Sequence, residues 1–234
     1  MPYKNLKRRV KEESNPERAK FLQRFFKTGK GEYAEGDIFA GITVPIQRGI
    51  AKENLDLSFK ELGELIKSPV HEERLISLLI LVLRFPKAEP KEQEKIFKFY
   101  IKNIKTINNW DLVDLTAPNI AGWFLFDKDR TLLYELAISK NIWARRIAVI
   151  ATFYFIKRNQ YSDALSISKI LLNDKHDLIH KATGWMLREI GKRNITAEED
   201  FLKKYYKQMP RTMLRYAIEK FPEPKRKKYL MGKM

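Results

Sequence analysis

The sequence predicts an all-α fold, a solenoid of antiparallel helix pairs. Three observations predict it. Nearly every segment of the 234 residues sets apolar side chains at helical spacing between cap signals. No alternating apolar/polar run is long enough for a sheet. A small residue followed by an apolar one recurs at Ser77-Leu78, Ala148-Val149, Ala182-Thr183 and Ala217-Ile218, at intervals of 71, 34 and 35 residues. The first interval is about twice the others, and the skipped unit falls near Val113. A period of roughly 35 residues with two helices per unit is the signature of an α-solenoid.

The elements follow in order. Asn15-Pro16 opens a helix running to about Lys27 and closed by Gly29. Four glycines between Gly29 and Gly41 mark an irregular loop in which backbone takes special conformations or lies close to something. Ser58-Phe59-Lys60-Glu61 is a capping box, with Leu62, Leu65 and Ile66 on one face behind it. Ser68-Pro69 starts a longer helix that is apolar nearly all round from Leu75 to Leu83 and stops at Pro86, the pattern of a central helix. Asn109 caps a helix carrying Trp110 and Asp114. Further starts are read at Asp127, Asn141, Ser162 and the box Thr196-Ala197-Glu198-Glu199. Glu61, Glu64, Glu72 and Glu73 read as caps and surface charge. The tetratricopeptide pattern of Trp, Gly-Tyr and closing Pro is not met in register, which leaves the irregular HEAT-like kind. Units of this size cannot bury cores alone. One domain over 1–234 is expected, with a concave basic groove and a basic C-terminal tail at about 222–234.

Composition narrows the function. A hydrophobic content of 44% supports a folded globule. Lys and Arg number 46 against 29 Asp and Glu, a net charge of +17 suited to polyphosphate. A membrane surface is the competing anionic partner, but the apolar residues are spread through every helix rather than along one amphipathic stripe. The longest apolar run, Leu75 to Leu83, is too short to span a bilayer. There is no cysteine, which excludes disulfides and thiolate metal sites and suits a reducing compartment. The N-terminal Met1-Pro2-Tyr3-Lys4-Asn5-Leu6 lacks the apolar core of a signal peptide. A soluble, cytoplasmic protein acting on nucleic acid is expected.

Chemistry concentrates in three stretches. In Asn108-Asn109-Trp110-Asp111-Leu112-Val113-Asp114, Trp110 and Asp114 are four apart and share a helix face. An indole beside a carboxylate can hold a cationic or electron-poor partner, the ring through its π-face and the acid through its charge. In the repeat register Asp114 stands where sister helices carry Leu78, Val149, Thr183 and Ile218. A carboxylate there is poor for packing and favours function. Trp143 and Arg146 sit three apart in the next unit, with Arg145 turned away, and Trp185 and Arg188 repeat the spacing. Gly184 beside Trp185 is costly inside a helix unless something packs closely. A lone tryptophan is more often a core ring. Three on near-successive repeats, each with a charged helix neighbour, favour an aromatic, cationic surface.

Asn-Trp-Asp-Leu-Val-Asp, then Trp-x-x-Arg, then Lys-Ala-x-Gly-Trp-x-Leu-Arg-Glu resemble the DNA alkylation repair glycosylases built from HEAT-like repeats. The segment Gly-Glu-Tyr-Ala-Glu-Gly-Asp-Ile-Phe-Ala-Gly-Ile-Thr-Val-Pro resembles that family's opening, and the likeness covers roughly residues 10 to 225. The resemblance implies excision of cationic alkylpurines, chiefly of the N3-methyladenine and N7-methylguanine types, from double-stranded DNA without extruding the base. It implies Asp114 as catalytic carboxylate, Trp110 against the lesion nucleotide's sugar, Arg146 on the neighbouring phosphate, Trp185 completing the aromatic wall and Arg188 as a further phosphate contact. Trp143, Arg145, Lys157 and Arg158, the last two ending the helix that carries Arg146, are expected to add DNA contacts. A monofunctional, monomeric enzyme without Schiff-base lysine, metal or cofactor is implied. Asn109 precedes Trp110 where some relatives have a second aromatic, which alters the finer shape of the pocket.

The remaining signals read more plainly. His176 and His180 have the i, i+4 spacing of helical zinc ligands, but Asp177 replaces the metalloprotease glutamate and no third ligand is evident. Lys7-Arg8-Arg9 and Lys225-Arg226-Lys227-Lys228 read as solvated faces that add non-specific phosphate attraction. Two other functions fit less: a non-catalytic HEAT-like protein binding DNA of unusual shape, and a solenoid scaffold for acidic proteins. The scaffold leaves Trp110 and Asp114 without a purpose.

Overall fold

The computed structural model describes residues 2–234. Its elements are helical, and among the described residues the sole β-type pairing is an isolated parallel bridge between Ile38 and Val70. The chain forms two units, Met1–Thr116 and Ala117–Met234.

The N-terminal unit holds α1 (Pro2–Glu12), α2 (Pro16–Phe25), α3 (Val44–Glu53), α4 (Phe59–Leu65), α5 (His71–Arg84), α6 (Pro90–Lys102) and α7 (Trp110–Asp114). Asn15 caps α2 by accepting the Arg18 amide at 3.0 Å, and the Ser58–Glu61 capping box is present in both directions. The central helix is α5, with Leu75, Ile76, Leu78, Ile80 and Leu81 fully buried against α3 and α4. It begins three residues later than the sequence reading places it. The Ser68 and Pro69 carbonyls instead accept from the Arg74 guanidinium, and Pro69 also accepts the Ile38 amide. Pro69 therefore anchors the 29–41 loop, and both carbonyls are tied to the Arg74 side chain rather than built into the first turn of the helix. Glu72 and Glu73 are likewise buried, not surface charge. Glu72 accepts the amides of Ala40 and Gly41 at 2.8 Å and of Ile42 at 3.2 Å. Glu73 receives Lys7 at 2.6 Å, so the basic run on α1 is partly a structural clasp. Gly41 has φ 83°. A Cβ there would strike the Asn15 carbonyl, so the close approach and the left-handed backbone both demand glycine.

The C-terminal unit holds α8 (Trp123–Leu125), α9 (Thr131–Ala137), α10 (Ile142–Ala151), α11 (Phe153–Ile156), α12 (Ser162–Ile170), α13 (Asp177–Gly191), α14 (Ile195–Tyr205), α15 (Arg211–Ala217) and α16 (Glu223–Leu230). Helix α10 packs on α13, and α13 on α15. These are the helices that carry the small–apolar pairs, and Ala148, Val149, Ala182, Thr183, Ala217 and Ile218 are all buried. Gly184 on α13 sits against the Met213 carbonyl, and a Cβ added to it would lie 2.6 Å from the Tyr216 Cβ; Gly122 meets Ala151 and Tyr154 in the same way. The close packing that the sequence required of Gly184 is thus supplied by α15.

Two starts shift and one helix ends early. Helix α9 begins at Thr131 rather than at Asp127, and Asp129 accepts the Thr131 amide at 2.9 Å. Asn194, not Thr196, caps α14 through the Ala197 amide at 3.0 Å, because Asn194 lies one residue before the helix and its amide oxygen reaches the third helical residue. The helix carrying Arg146 does not run on to Lys157-Arg158: it breaks at Thr152, whose hydroxyl donates to the Val149 carbonyl at 2.6 Å. The C-terminal segment is no loose tail. Helix α16 docks through buried Tyr229, and Tyr206 Oη donates to the carbonyls of Gly232 and Met234 at 3.2 and 2.9 Å.

Candidate active site

Helix α7 is five residues long and starts on Asn109, whose side chain accepts the Trp110 amide at 2.8 Å. Trp110 and Asp114 are its first and last residues, and both are half-buried. Leu78, Val149, Thr183 and Ile218, which occupy the matching repeat positions, are all fully buried. Asp114 therefore departs from its register mates in exposure as well as in charge. Its carboxylate acts on Tyr100: burial raises that hydroxyl's pKa above the ordinary value, the Thr116 hydrogen bond opposes the rise, and the Asp114 charge adds to it.

Trp110 is held from the inside. Its ring stacks on Phe26 at 5.0 Å and 14°, Phe26 stacks on Phe39 at 4.9 Å, and Phe39 on His71 at 4.4 Å. Phe25 meets the indole edge-on at 6.1 Å. This column fixes the ring plane at the cost of little entropy, since every member below Trp110 is buried. At its base His71 Nε2 lies 2.8 Å from Asp111 Oδ2 and Nδ1 lies 3.4 Å from Asp37 Oδ2. Arg74 bonds the same Asp37 oxygen at 2.6 Å, and Asn108 Nδ2 donates to the other at 3.0 Å. Burial alone would lower the imidazole pKa, but the charge and hydrogen bond of Asp111, with the bond from Asp37, raise it to about 9. His71 is therefore an imidazolium at neutral pH. Asp37, which burial would raise, is held below the usual carboxylate value by His71 and Arg74.

Sequence reasoning missed Asp111, His71, Phe25 and Phe26. Asp111 lay inside the chosen motif, but a carboxylate one residue from the tryptophan points to another helix face, and its partner is 40 positions away.

In the C-terminal unit Trp185 is half-buried, donates its indole N–H to Glu189 Oε1 at 3.2 Å, and sits 5.7 Å from the Phe153 ring. The Lys157 ammonium lies 4.3 Å over that ring. Arg158 lies 3.5 Å over Tyr154, which stacks on Trp123 at 5.5 Å. Both exposed cations are thus drawn onto aromatic faces by i, i+4 spacing, a signal readable in Phe153-Tyr154…Lys157-Arg158. Trp123, 36% exposed, is a further surface aromatic that the sequence reading passed over.

Other expected contacts are structurally engaged. Trp143 and Arg146 are each 5% exposed, and Arg146 Nη1 donates to the Leu178 carbonyl at the start of α13. Arg145 is paired with Asp174 at 2.6 Å and bonds the Ser139 and Lys140 carbonyls. Arg188 is paired with Glu219. His176 Nδ1 accepts the Leu178 amide at 3.2 Å, and His180 Nε2 donates to the Asp174 carbonyl at 2.6 Å. That pair caps a helix. No group of three His, Cys, Asp or Glu side chains arranged to hold a metal occurs among the described residues, nor is any helix there long and apolar enough to cross a membrane.

Residues 6–221 match the family model described as DNA alkylation repair enzyme. A solved structure described as a predicted DNA alkylation repair enzyme from Enterococcus faecalis is similar with a TM-score of 0.69 at 18% identity, over 90% of this chain and 98% of that one. The crystal structure of smu.31 from Streptococcus mutans UA159 is similar with a TM-score of 0.55 at 17% identity, over 95% and 100%. No curated protein matches the sequence.

Proposed function

The chain belongs to the DNA alkylation repair enzyme family, and from that premise we propose that it is a monofunctional DNA glycosylase. The bond it hydrolyses joins deoxyribose to a cationic alkylated purine, of the N3-methyladenine or N7-methylguanine type, in duplex DNA. The observation that carries this reading is Asp114: a half-exposed carboxylate at a repeat position that is otherwise apolar and buried, one helix turn from an indole locked in place.

The chemistry suits that pair. An alkylated purine already bears a positive charge, so it departs as a neutral base, taking the electron pair of the glycosidic bond. The sugar becomes oxocarbenium-like. Asp114 stabilises that charge across a short distance and orients the attacking water. Water adds its oxygen to the anomeric carbon and gives up one proton, so the products are the free base, an abasic site and H⁺. The Trp110 face packs against the sugar and excludes solvent, which strengthens the electrostatic term. Family resemblance also assigns DNA contacts to Trp185 and to Arg146, the latter buried and donating to the Leu178 carbonyl when DNA is absent. Lys157 and Arg158, exposed beside aromatic faces, supply further phosphate attraction.

The test is release of methylated base from duplex DNA. Wild type should release it, and Asp114→Asn should lower the single-turnover rate by about 100-fold or more with DNA binding retained. Unchanged release by the variant removes Asp114 from the mechanism. Binding without release by wild type would favour a protein that only recognises distorted DNA. Removing Lys157 or Arg158 should weaken binding uniformly across sequences and reduce the salt slope by about one.

A further inference from the structure

Helix α7 is too short to fix its own direction. Its five residues close few internal bonds, and an isolated helix of that length is unstable in water. Its setting therefore comes from the side chains that tie it down. At its C-terminal end Thr116 Oγ1 donates to the Leu112 carbonyl and receives Tyr100 Oη at 3.0 Å. Just before its first residue Asn108 Nδ2 donates to Asp37 Oδ1 at 3.0 Å. In the middle Asp111 accepts the Leu112 amide on Oδ1 at 2.9 Å and meets His71 Nε2 with Oδ2 at 2.8 Å. Two of these three ties run to one buried cluster: His71 and Arg74 from the start of α5, with Asp37 from the glycine-rich loop.

His71 is buried and faces a carboxylate with each ring nitrogen, Asp37 from the loop and Asp111 from α7. An ionised carboxylate only accepts, and a neutral imidazole has a single N–H, so the imidazolium alone gives both acids a donor. Arg74 on the same helix bonds Asp37 and lies 3.5 Å from His71 Nδ1, while Phe39 stacks on the ring and Phe26 lies against it. Asp37 keeps Arg74 and Asn108 if the imidazole loses its proton. The Asp111 charge then loses its ionic partner, whichever nitrogen retains the hydrogen. We infer that His71 is a positioning residue for base excision: through Asp111 it sets α7, and with it the Trp110 ring and the Asp114 carboxylate. This rests on the glycosylase reading of those two side chains. Misplacing a reacting group by about 1 Å costs on the order of 100-fold in rate, so a small turn of α7 is enough. The pKa of His71, raised to about 9, keeps the imidazolium in place at neutral pH.

Single-turnover release of methylated base from duplex DNA between pH 6 and pH 10, at a temperature where each variant is folded, tests this. The wild-type rate should fall as pH rises through about 9. His71→Gln can still donate to Asp111 but carries no charge. It should release base about tenfold more slowly at pH 7, bind DNA within about twofold of wild type, and lose the fall at high pH. Asp111→Asn removes the charge that most raises the imidazole pKa, so its fall should come at lower pH. Glu73→Gln is the control. It breaks the buried pair with Lys7 on the same helix, so it should cost stability while leaving the rate and its pH profile as in wild type. Trp110 emission, taken as the difference from Trp110→Phe, should shift in His71→Gln without DNA. A wild-type rate and profile in His71→Gln, or equal slowing by Glu73→Gln, overturns the positioning role. Wild type that releases no base refutes the glycosylase reading instead. The emission then decides the tether by itself: a shift in His71→Gln supports it, and an unchanged spectrum overturns it.

Discussion

The two units hold short helices together with different emphases. The N-terminal unit buries charge and gives each charge a partner: His71 between Asp37 and Asp111, Arg74 on Asp37, Glu72 on three amides, Glu73 on Lys7. That solution satisfies the backbone amides of a glycine-rich loop that has no helix to pair them. The C-terminal unit mainly brings backbones into contact, through Gly122 and Gly184, and lays its cations on aromatic faces. It also buries charges with partners, Asp163 on Arg130 and Glu189 on Lys192 and Arg193, and one without. Glu198 is buried on α14 with an oxygen that has no partner among the described residues, and burial, with the neighbouring Glu199, raises its pKa to about 8 against a partial offset from Arg188. A buried carboxylate is ionised where the fold supplies donors and protonated where it does not.

The comparison can be broken at either unit. The largest effect is expected from Glu72→Ala, which strands three loop amides and should cost about 3–5 kcal/mol in chemical denaturation. A loss under 1 kcal/mol would mean that the loop is held otherwise. Next is the titration of His71. Its folded pKa of about 9 lies above the ordinary 6.5, so its contribution is complete below about pH 6.5 and is lost as pH rises toward 9. The loss is on the order of 3 kcal/mol. Denaturation at pH 6 and pH 9.5 measures it, and His71→Asn should flatten the slope. Gly184→Ala should then cost about 1–3 kcal/mol by overpacking α13 on α15. Its wild-type-like stability would remove close backbone contact as the organising feature of the second unit. The last effect is opposite in sign. Glu198 has a folded pKa above its ordinary 4.5, so its ionisation progressively destabilises the fold as pH rises from about 4.5 to 8. Glu198→Gln should therefore raise stability at pH 8, by an amount on the order of that for His71, and leave it unchanged at pH 4. A variant that is less stable at pH 8 would show that the carboxylate has a partner after all.

Much of this was legible in the chain. Ser58 and Asn15 announce their helices because a side chain three residues from an amide acts locally, whatever else is nearby. Ala148, Ala182 and Ala217 were readable as buried positions because small residues at like spacing let neighbouring helices pack closely. Trp110 and Asp114 stood out against that register. What could not be read were relations over long separations. Asp37, His71 and Asp111 are 34 and 40 residues apart, and none of the three carries a local sign that it is buried. Ser68-Pro69 looked like a helix start because the groups that claim those carbonyls, the Arg74 guanidinium and for Pro69 also the Ile38 amide, leave no mark at the two residues themselves.

Local rules thus determined the all-helical character, the repeat, most caps and the odd carboxylate, because backbone hydrogen bonds and side-chain periodicity are set within one or two turns. Tertiary structure alone settled which charges are buried, that Trp110 stands on a column ending in an imidazolium, and that Arg145 and Arg188 are paired with acids. The physical reason is that solvation and Coulomb energy depend on what the rest of the chain brings near a group, and a linear sequence does not record that neighbourhood.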